Sequence, residues 1–346
     1  MKNKATFLLS KSTAIKKHNE VKKISNIVSY SFKTNIDIGL ILKENTDCMF
    51  SIHSFNELKL INANDRIIFF AQAWSSNEID YLIKNNVKNF VVDNMNDLNL
   101  IIDYIKKTKI NNINLLLRMR VKEKTIHTGK FFVYGFYSRQ INELIPKLAN
   151  EKIFSKIGIH FHRKTQNVSE WSIEQELNEV LTKEVFSDID IINIGGGIPS
   201  IYKNYNYDVT ENIVKKIENT KILANKNNIK LIIEPGRFIA APAIKLETKI
   251  LSIYDNNIIV GCSVYNAAMD TFVANVRLIV EGELDENEGK PYTIKGITPD
   301  SIDIFRYRVF LKNPKVNDKI IFLNAGAYNY WTNFCGLEKI PIKIVK

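Results

Sequence analysis

The sequence predicts an α/β protein in which a (β/α)8 TIM-type barrel is followed by a C-terminal all-β domain. Eight short, β-branched runs recur along the chain, and segments with helical spacing lie between them. The runs are too apolar for half-exposed strands, which is typical of a parallel sheet that is buried on both faces. A length of 346 residues accommodates one barrel of about 250 residues and a smaller second domain. The same alternation also allows a doubly wound open sheet.

The eight predicted barrel strands begin, in chain order, near Ile27, Cys48, Arg66, Asn89, Asn114, Lys156, Ile189 and Lys230. From about Lys245, strand-like runs are broken by Asp-Asn-Asn, Glu-Gly and Asn-Pro turns, which indicates a separate β-domain. We therefore predict an N-terminal segment at 1–20 that packs with the β-domain, a barrel at 21–245 and the β-domain at 246–346.

The charge and cysteine content exclude several classes of protein. The net charge of +11 comes mostly from lysines that are scattered, whereas nucleic-acid binding requires a concentrated basic patch. No run approaches the ~18 apolar residues of a membrane span, and the N-terminus lacks the pattern of a signal peptide. Cys48, Cys262 and Cys335 are too widely spaced for a disulfide framework or a metal site. We expect a cytoplasmic protein without a metal, a membrane or a nucleic-acid partner.

In such a barrel, functional side chains lie at the C-terminal ends of the strands. The sequence places the following residues there: Lys33, His53, Ser54, Gln72, Asp93, Arg118, His162, Gly195, Gly196, Gly197, Glu234, Pro235, Gly236 and Arg237. The three glycines expose backbone amides that a phosphate can approach, and Arg237 can close on the same phosphate. Together with the amine of Lys33 and the carboxyl of Glu234, this is the set of groups that pyridoxal phosphate requires.

Six segments also carry a family resemblance: Ser31-Phe32-Lys33-Thr34-Asn35, His160-Phe161-His162, Gly195-Gly196-Gly197-Ile198-Pro199, Glu234-Pro235-Gly236-Arg237-Phe238, Asp300-Ser301-Ile302-Asp303 and Gly326-Ala327-Tyr328. With them the chain resembles the alanine-racemase-like (fold-type III) pyridoxal enzymes, specifically the ornithine/diaminopimelate/arginine decarboxylase family. The similarity runs from about Ala5 to Leu337.

The resemblance implies a role for each matching residue. The implied catalytic residues are Lys33, which attaches the cofactor, Glu234, which pairs with its ring nitrogen, His162, which stacks on its ring, and Asp300, which faces the distal group of the substrate from the other subunit. The implied cofactor contacts are Lys33, Arg118, His162, Thr165, Gly195, Gly196, Gly197, Glu234, Gly236, Arg237 and Tyr328. Lys130 and Asp303 correspond to residues that pair across the interface of a homodimer with shared active sites.

Three positions depart from the family pattern. Pro299 replaces the cysteine that is associated with reprotonation, and Ser51 and Asn193 replace acidic residues. Asn266 and Asp270 lie in the segment that, by the resemblance, often carries a substrate-selecting aspartate, and we predict them to be substrate-binding together with Asp300. The Arg-Pro pair typical of diaminopimelate enzymes is missing from the sequence. The resemblance therefore implies decarboxylation of a basic amino acid (ornithine-, lysine- or arginine-like) or a related derivative, in amino-acid or polyamine metabolism.

Two other functions remain open from the sequence. A racemase of the same superfamily would need a tyrosine opposite Lys33, for which Tyr265 is the candidate. A catalytically inactive regulatory homologue would bind a protein partner without using the cofactor. The His160-Phe161-His162 and Asp300-Ser301-Ile302-Asp303 segments favour the decarboxylase.

Overall fold

The structure is a computed structural model that describes residues 5–120, 134–205 and 210–345. Its contacts divide the chain into two units. The barrel unit comprises His18–Ile198 and Val209–Gly236, and the sheet unit comprises Met1–Lys17, Pro199–Asp208 and Arg237–Lys346. The chain thus enters the sheet unit at Arg237, and the sequence-based boundary after residue 245 stays a prediction.

The barrel unit contains a closed barrel of eight parallel strands. The chain begins with β1 (Ala5–Ser10) and α1 (Lys11–Ile24). The barrel strands follow as β2 (Ile27–Ser31), β3 (Met49–Ile52), β4 (Ile67–Phe70), β5 (Asn89–Val92), β6 (Asn114–Arg118), β7 (Lys156–His160), β8 (Ile191–Asn193) and β9 (Lys230–Ile233). Pairing of β9 with β2, through Ile232 and Ile27, closes the barrel. Each of the eight predicted runs contains one strand, so the predicted barrel is confirmed.

Helices connect the strands of the barrel. They are α2 (Ile36–Asn45), α3 (Phe55–Ile61), α4 (Ser76–Lys84), α5 (Met95–Thr108), α6 (Ser138–Glu151), α7 (Ile173–Val180), α8 (Lys183–Asp188) and α9 (Thr210–Lys226). The N-cap residues Ser54, Ser75 and Asn94 accept hydrogen bonds from backbone amides in the first turns of α3, α4 and α5. These caps fix where each helix begins and hold short connections after the strands.

A cluster of aliphatic side chains from five strands lies within the barrel unit. It consists of Ile68, Val91, Leu116, Ile191 and Ile232, each no more than 6% exposed. Burial of each such side chain stabilises the fold by roughly 1.5–3 kcal/mol relative to exposure. The apolar character that identified these strands in the sequence is therefore the character that stabilises the barrel.

The sheet unit is built mainly from strands. Its elements are α10 (Arg237–Ala243), β10 (Ile244–Tyr254), β11 (Asn257–Val260), α11 (Val264–Ala267), α12 (Asp270–Val273), β12 (Ile279–Val280), β13 (Lys290–Lys295), β14 (Ile304–Leu311), β15 (Lys319–Leu323) and β16 (Ile342–Val345). The strand order is β12-β15-β10-β11-β13-β14. β1 joins this sheet, antiparallel to β10 and parallel to β16. Among the described residues, no helix has the length and apolar character needed to cross a membrane.

Candidate active site

The C-terminal ends of the barrel strands carry a group of ionisable side chains. Lys33 lies in a 3-10 turn, Phe32–Thr34, directly after β2. Its neighbours Phe32 and Thr34 are buried, whereas Lys33 itself is exposed. The two buried neighbours anchor the turn and display the lysine side chain at the barrel mouth.

The pKa of the Lys33 amine is lowered, chiefly because the protein around it reduces its solvation. Arg118, at the end of β6, acts in the same direction, while Glu234 and Glu57 oppose the shift. A lowered pKa increases the fraction of neutral amine at neutral pH, and the neutral amine is the nucleophile.

Glu234 follows β9 and is buried, with 7% of its surface exposed. Its Oε1 accepts hydrogen bonds from Ser51 Oγ at 2.7 Å and Asn193 Nδ2 at 3.0 Å, and its Oε2 lies 3.3 Å from His160 Nε2. Burial alone would raise the pKa of this carboxyl, but His160 and the three hydrogen bonds lower it to about 2. Glu234 is therefore an ionised carboxylate in the interior of the protein.

His160 is a neutral donor to this carboxylate. Burial lowers the pKa of His160, against the effect of Glu234. We therefore assign its proton to Nε2, which faces Glu234 Oε2. In this tautomer His160 Nδ1 is an acceptor, and it has no hydrogen-bond partner among the described residues.

The glycines after β8 allow close packing of three backbone segments. A Cβ at Gly195 would lie 2.5 Å from Phe161 O, and one at Gly196 would lie 2.5 Å from Glu234 O. Gly195 N–H donates to Asn193 Oδ1, and Gly196 N–H donates to His162 Nδ1. Because both amides already have partners, this geometry does not support the expectation that they are open to a phosphate.

His162 therefore has one ring nitrogen engaged with the glycine segment. Its Nδ1 accepts from Gly196 N–H at 3.2 Å, so its proton belongs on Nε2. Burial lowers the pKa of His162 to about 4, although Glu234 opposes the shift. The ring is consequently neutral at physiological pH.

Four other predicted residues of the barrel unit are placed as follows. Arg118 packs against the ring of Tyr134, with its Cζ 5.0 Å from the ring centroid. Thr165 is exposed in the segment after β7. Gln72 and Asp93 line a cavity of about 540 Å³ beside the ends of β4 and β5.

In the sheet unit, Arg237 is buried and bound by an acidic partner. Its guanidinium forms a bidentate pair with Asp270, and it donates to Tyr202 Oη at 3.0 Å. The ring of Tyr328 lies 5.1 Å from the guanidinium carbon. Asp270 is 3% exposed and its two carboxylate oxygens are engaged with Arg237. This pairing favours a structural role for Asp270 over the predicted contact with substrate.

The remaining predicted substrate residues lie around α11 in the same unit. Asn266 is buried, accepts from Ser263 N–H at 3.0 Å and donates to Glu338 O at 2.8 Å. These hydrogen bonds give Asn266 a structural role in capping α11, and they do not support a contact with substrate. Asp300 is half-buried and accepts from Tyr265 Oη at 3.0 Å.

Asp303 is fully buried within the sheet unit. Its carboxylate accepts from the amides of Val264 and Thr298 and from the Thr298 hydroxyl, at 2.6 to 3.1 Å. These contacts do not support the expected pairing of Asp303 across a dimer interface. Lys130, its expected partner, lies outside the described residues.

The structure reveals two functional positions that the sequence interpretation did not assign. Ser51 and Asn193 are neutral residues where acidic ones were expected, and both donate to Glu234. The sequence could have indicated both residues, because a buried carboxylate such as Glu234 requires hydrogen-bond donors, and Ser51 and Asn193 lie near the ends of other barrel strands.

The chemistry of these groups fits a pyridoxal cofactor. A carboxylate has about four acceptor positions, and Glu234 uses three of them. A position is left for a ring N–H, and Lys33 follows β2, the strand that pairs with β9 just before Glu234. Gly236, which packs against Thr34 where a Cβ would overlap, joins the Glu234 segment to the turn that carries Lys33.

Curated relatives span most of the chain. Diaminopimelate decarboxylase of Methanocaldococcus jannaschii is 25% identical and covers 87% of this chain and 74% of its own. Ornithine decarboxylase of Caenorhabditis elegans is 23% identical and covers 91% of this chain and 81% of its own. Antizyme inhibitor 2 of Xenopus laevis is 22% identical and covers 90% of this chain and 74% of its own.

The fold has a close structural counterpart. The crystal structure of lysine/ornithine decarboxylase from Vibrio vulnificus, complexed with cadaverine, aligns with a TM-score of 0.78 and 19% identity. The alignment covers 99% of this chain and 94% of that chain, which confirms the predicted fold class. The family model for the pyridoxal binding domain of pyridoxal-dependent decarboxylases matches residues 11–241. The chain therefore belongs to the family of pyridoxal-dependent decarboxylases.

Proposed function

We propose that this protein removes the α-carboxyl group of a basic amino acid with the help of pyridoxal 5'-phosphate. The observation that carries the proposal is the placement of Lys33 and Glu234 after two paired barrel strands, β2 and β9, with three hydrogen-bond donors on the carboxylate. The cofactor, when bound, supplies the ring that accepts the electrons released as CO2 departs.

The residues of the barrel mouth have distinct tasks in this proposal. Lys33 would provide the amine that holds the cofactor. Glu234 retains its negative charge at neutral pH and would thereby hold a proton at the ring nitrogen. His162 is neutral and would pack on the ring without adding a competing charge.

The other cofactor contacts stay predictions from the family resemblance. Gly197, Gly236, Thr165, Tyr328 and Arg237 are proposed to bind the phosphate, with Arg118 supporting the site. Arg237 is held by Asp270, so we propose that the pair presents the guanidinium in a fixed orientation.

Asp300 is proposed to select the substrate. Its carboxylate is half-buried, and the hydroxyl of Tyr265 orients it. A carboxylate in this setting suits the distal ammonium group of an ornithine- or lysine-like substrate. We further propose a homodimer in which each subunit contributes Asp300 to the site of its partner. Three free cysteines suit a reducing compartment, and we propose a cytoplasmic location.

The geometry around Tyr265 favours decarboxylation over racemisation. A racemase needs a tyrosine that readily exchanges a proton. Burial and the hydrogen bond to Asp300 raise the pKa of Tyr265 to about 12, which makes its deprotonated form scarce at neutral pH.

The test is a panel of amino acids in which CO2 release, product mass and product chirality are measured together. We expect CO2 and a diamine-type product from a basic amino acid. Inversion of the substrate without CO2 would establish the racemase instead. A purified protein that neither binds the cofactor nor turns over any substrate would support the regulatory homologue.

A further inference from the structure

Asn167 lies in the β7 loop (residues 163–171), which follows β7 and leads toward α7. It is fully buried and has no role in the proposal above. Its Oδ1 accepts from the backbone N–H of Glu170 at 3.0 Å, and its Nδ2 donates to the backbone oxygen of Glu170 at 3.0 Å. A single buried amide side chain therefore closes a four-residue turn of the loop.

The backbone of Asn167 makes two further hydrogen bonds. Its N–H donates to the carbonyl oxygen of Gly197 at 2.9 Å, and Gly197 is the last glycine of the segment after β8. Its own carbonyl oxygen accepts from the indole Nε1 of Trp171 at 2.7 Å, and this indole is buried. Asn167 thus joins the β7 loop to the glycine segment of the neighbouring strand.

Gly197 brings the two segments into direct contact. Its φ is +105°, a conformation that favours glycine. A Cβ at this position would lie 2.5 Å from the carbonyl oxygen of Lys164 and 3.5 Å from the Cβ of Asn167. The β7 loop and the glycine segment are therefore packed backbone to backbone, and the bond from Asn167 lies at this contact.

Two ion pairs hold the β7 loop at its other end. Arg163 pairs with Glu176 of α7, and Lys164 Nζ lies 3.0 Å from Glu170 Oε1. Thr165 comes next in the chain and is exposed. The ion pairs hold the loop before Thr165, and the turn closed from inside holds it after Thr165.

The phosphate of the cofactor is proposed above to contact both Thr165 and Gly197. These residues belong to different segments, so their separation is set only by the contacts between those segments. Donors that are already in position bind a ligand more tightly, because less conformational freedom is lost on binding.

We propose that Asn167 is a positioning residue that fixes Thr165 relative to Gly197 and thereby sets the affinity for the phosphate group of the cofactor. The inference deepens the proposed function, on which it rests, because it identifies the residue that assembles the phosphate contacts within the barrel unit. Asn167 acts through the two segments that it joins and does not itself touch the cofactor. Its loss should therefore affect the phosphate end of the cofactor and leave the ring end unaffected.

The test compares the binding of pyridoxal 5'-phosphate and of pyridoxal, which lacks the phosphate, to cofactor-free protein. Both dissociation constants are measured by absorbance titration, and the melting temperature of each protein shows that it is folded. We expect Asn167→Ala to weaken the binding of pyridoxal 5'-phosphate on the order of 10- to 100-fold, as for loss of one hydrogen bond to a charged group. The binding of pyridoxal should stay nearly unchanged.

Asn142 provides a matched control in the same unit. Its side chain makes the same pair of bonds, since Oδ1 accepts from Thr182 N–H at 3.1 Å and Nδ2 donates to Val180 O at 2.9 Å. These bonds tie α6 to the connection between α7 and α8. Asn142→Ala therefore removes a comparable contact, and we expect the ratio of its two dissociation constants to match that of wild type. An equal loss of affinity for both ligands in Asn167→Ala would overturn the proposal, because it would show a general structural role.

A second variant keeps the test decisive if Asn167→Ala does not fold. Trp171→Phe removes the indole N–H that donates to Asn167 and keeps an aromatic ring at the position. Its control is Trp74→Phe, which removes a buried indole N–H that donates to Asp97 O at 3.3 Å. We expect the preference for pyridoxal 5'-phosphate over pyridoxal to fall in Trp171→Phe and to stay at the wild-type value in Trp74→Phe.

The same titrations distinguish failure of this inference from failure of the proposed function. A wild-type preference for the phosphorylated ligand that persists in Asn167→Ala, or in Trp171→Phe where Asn167→Ala does not fold, would refute the role of Asn167 alone. A wild-type protein that does not bind pyridoxal 5'-phosphate would refute both.

Discussion

At the scale of single residues, the charge of Glu234 depends on its contacts with three neighbouring side chains. Burial opposes ionisation, whereas His160 and the hydrogen bonds from Ser51 and Asn193 lower the pKa of the carboxyl. Together these contacts keep the carboxylate ionised in the interior of the protein.

We therefore expect Glu234→Gln to lower kcat by about 100-fold or more, as for loss of one preorganised electrostatic contact. The amide fits the same space, so the melting temperature should stay close to that of wild type. Steady-state CO2 release and thermal unfolding are measured on the same preparations. A changed melting temperature with an unchanged kcat would make Glu234 a structural residue.

The neutral state of His162 predicts a pH dependence of stability. Its pKa is about 4 in the folded protein and 6.5 in an unfolded chain, so the unfolded state binds more protons between these values. The contribution of His162 is thus complete above pH 6.5 and is lost as the pH falls toward 4. Urea unfolding of cofactor-free protein across this range should show a shallower pH dependence for His162→Gln, by up to about 1.4 kcal/mol per pH unit. Parallel curves for the two proteins would show that His162 titrates normally.

At the scale of elements, the segment after β8 depends on glycine for space as well as for conformation. Gly195 has φ +65°, and a Cβ there would press on Phe161 O at 2.5 Å. Gly282 has φ +75°, and a Cβ there meets no atom within 4 Å. Both alanine variants incur the left-handed backbone penalty of about 1–2 kcal/mol. We expect the free energy of unfolding to fall by roughly 1–3 kcal/mol more in Gly195→Ala than in Gly282→Ala, because the added methyl group overpacks the segment. Equal losses of unfolding free energy in the two variants would contradict the close packing.

The buried pair in the sheet unit allows a similar comparison. Asp270→Asn would remove the carboxylate charge that faces the buried guanidinium of Arg237, and we expect the free energy of unfolding to fall by about 3–5 kcal/mol. The pair of Arg308 and Glu286 is exposed, so Glu286→Gln should cost no more than about 1 kcal/mol. Denaturant unfolding of both variants measures the difference. A small loss for Asp270→Asn would show that Arg237 has access to solvent or to another anion.

The barrel strands were predictable because burial on both faces leaves an uninterrupted apolar run in the sequence. The positions of Lys33 and Glu234 followed from the ends of those runs. The contacts of individual side chains could not be predicted in this way, because the spacing of residues along the chain does not specify the direction in which a side chain points. Asn266 and Asp270 were thus predicted to contact substrate, whereas the structure gives them hydrogen bonds inside the sheet unit.

At the scale of the whole molecule, the proposal that two subunits share each active site can be tested by combining two variants in one dimer. Lys33→Ala and Asp300→Ala should each be inactive or strongly impaired alone. In a random mixture, half of the dimers combine the two variants. If each site takes Lys33 from one subunit and Asp300 from the other, one of the two sites in such a dimer is intact. Co-expression should then restore about a quarter of wild-type CO2 release. If Lys33 and Asp300 act within the same subunit, every mixed dimer lacks an intact site and no activity returns.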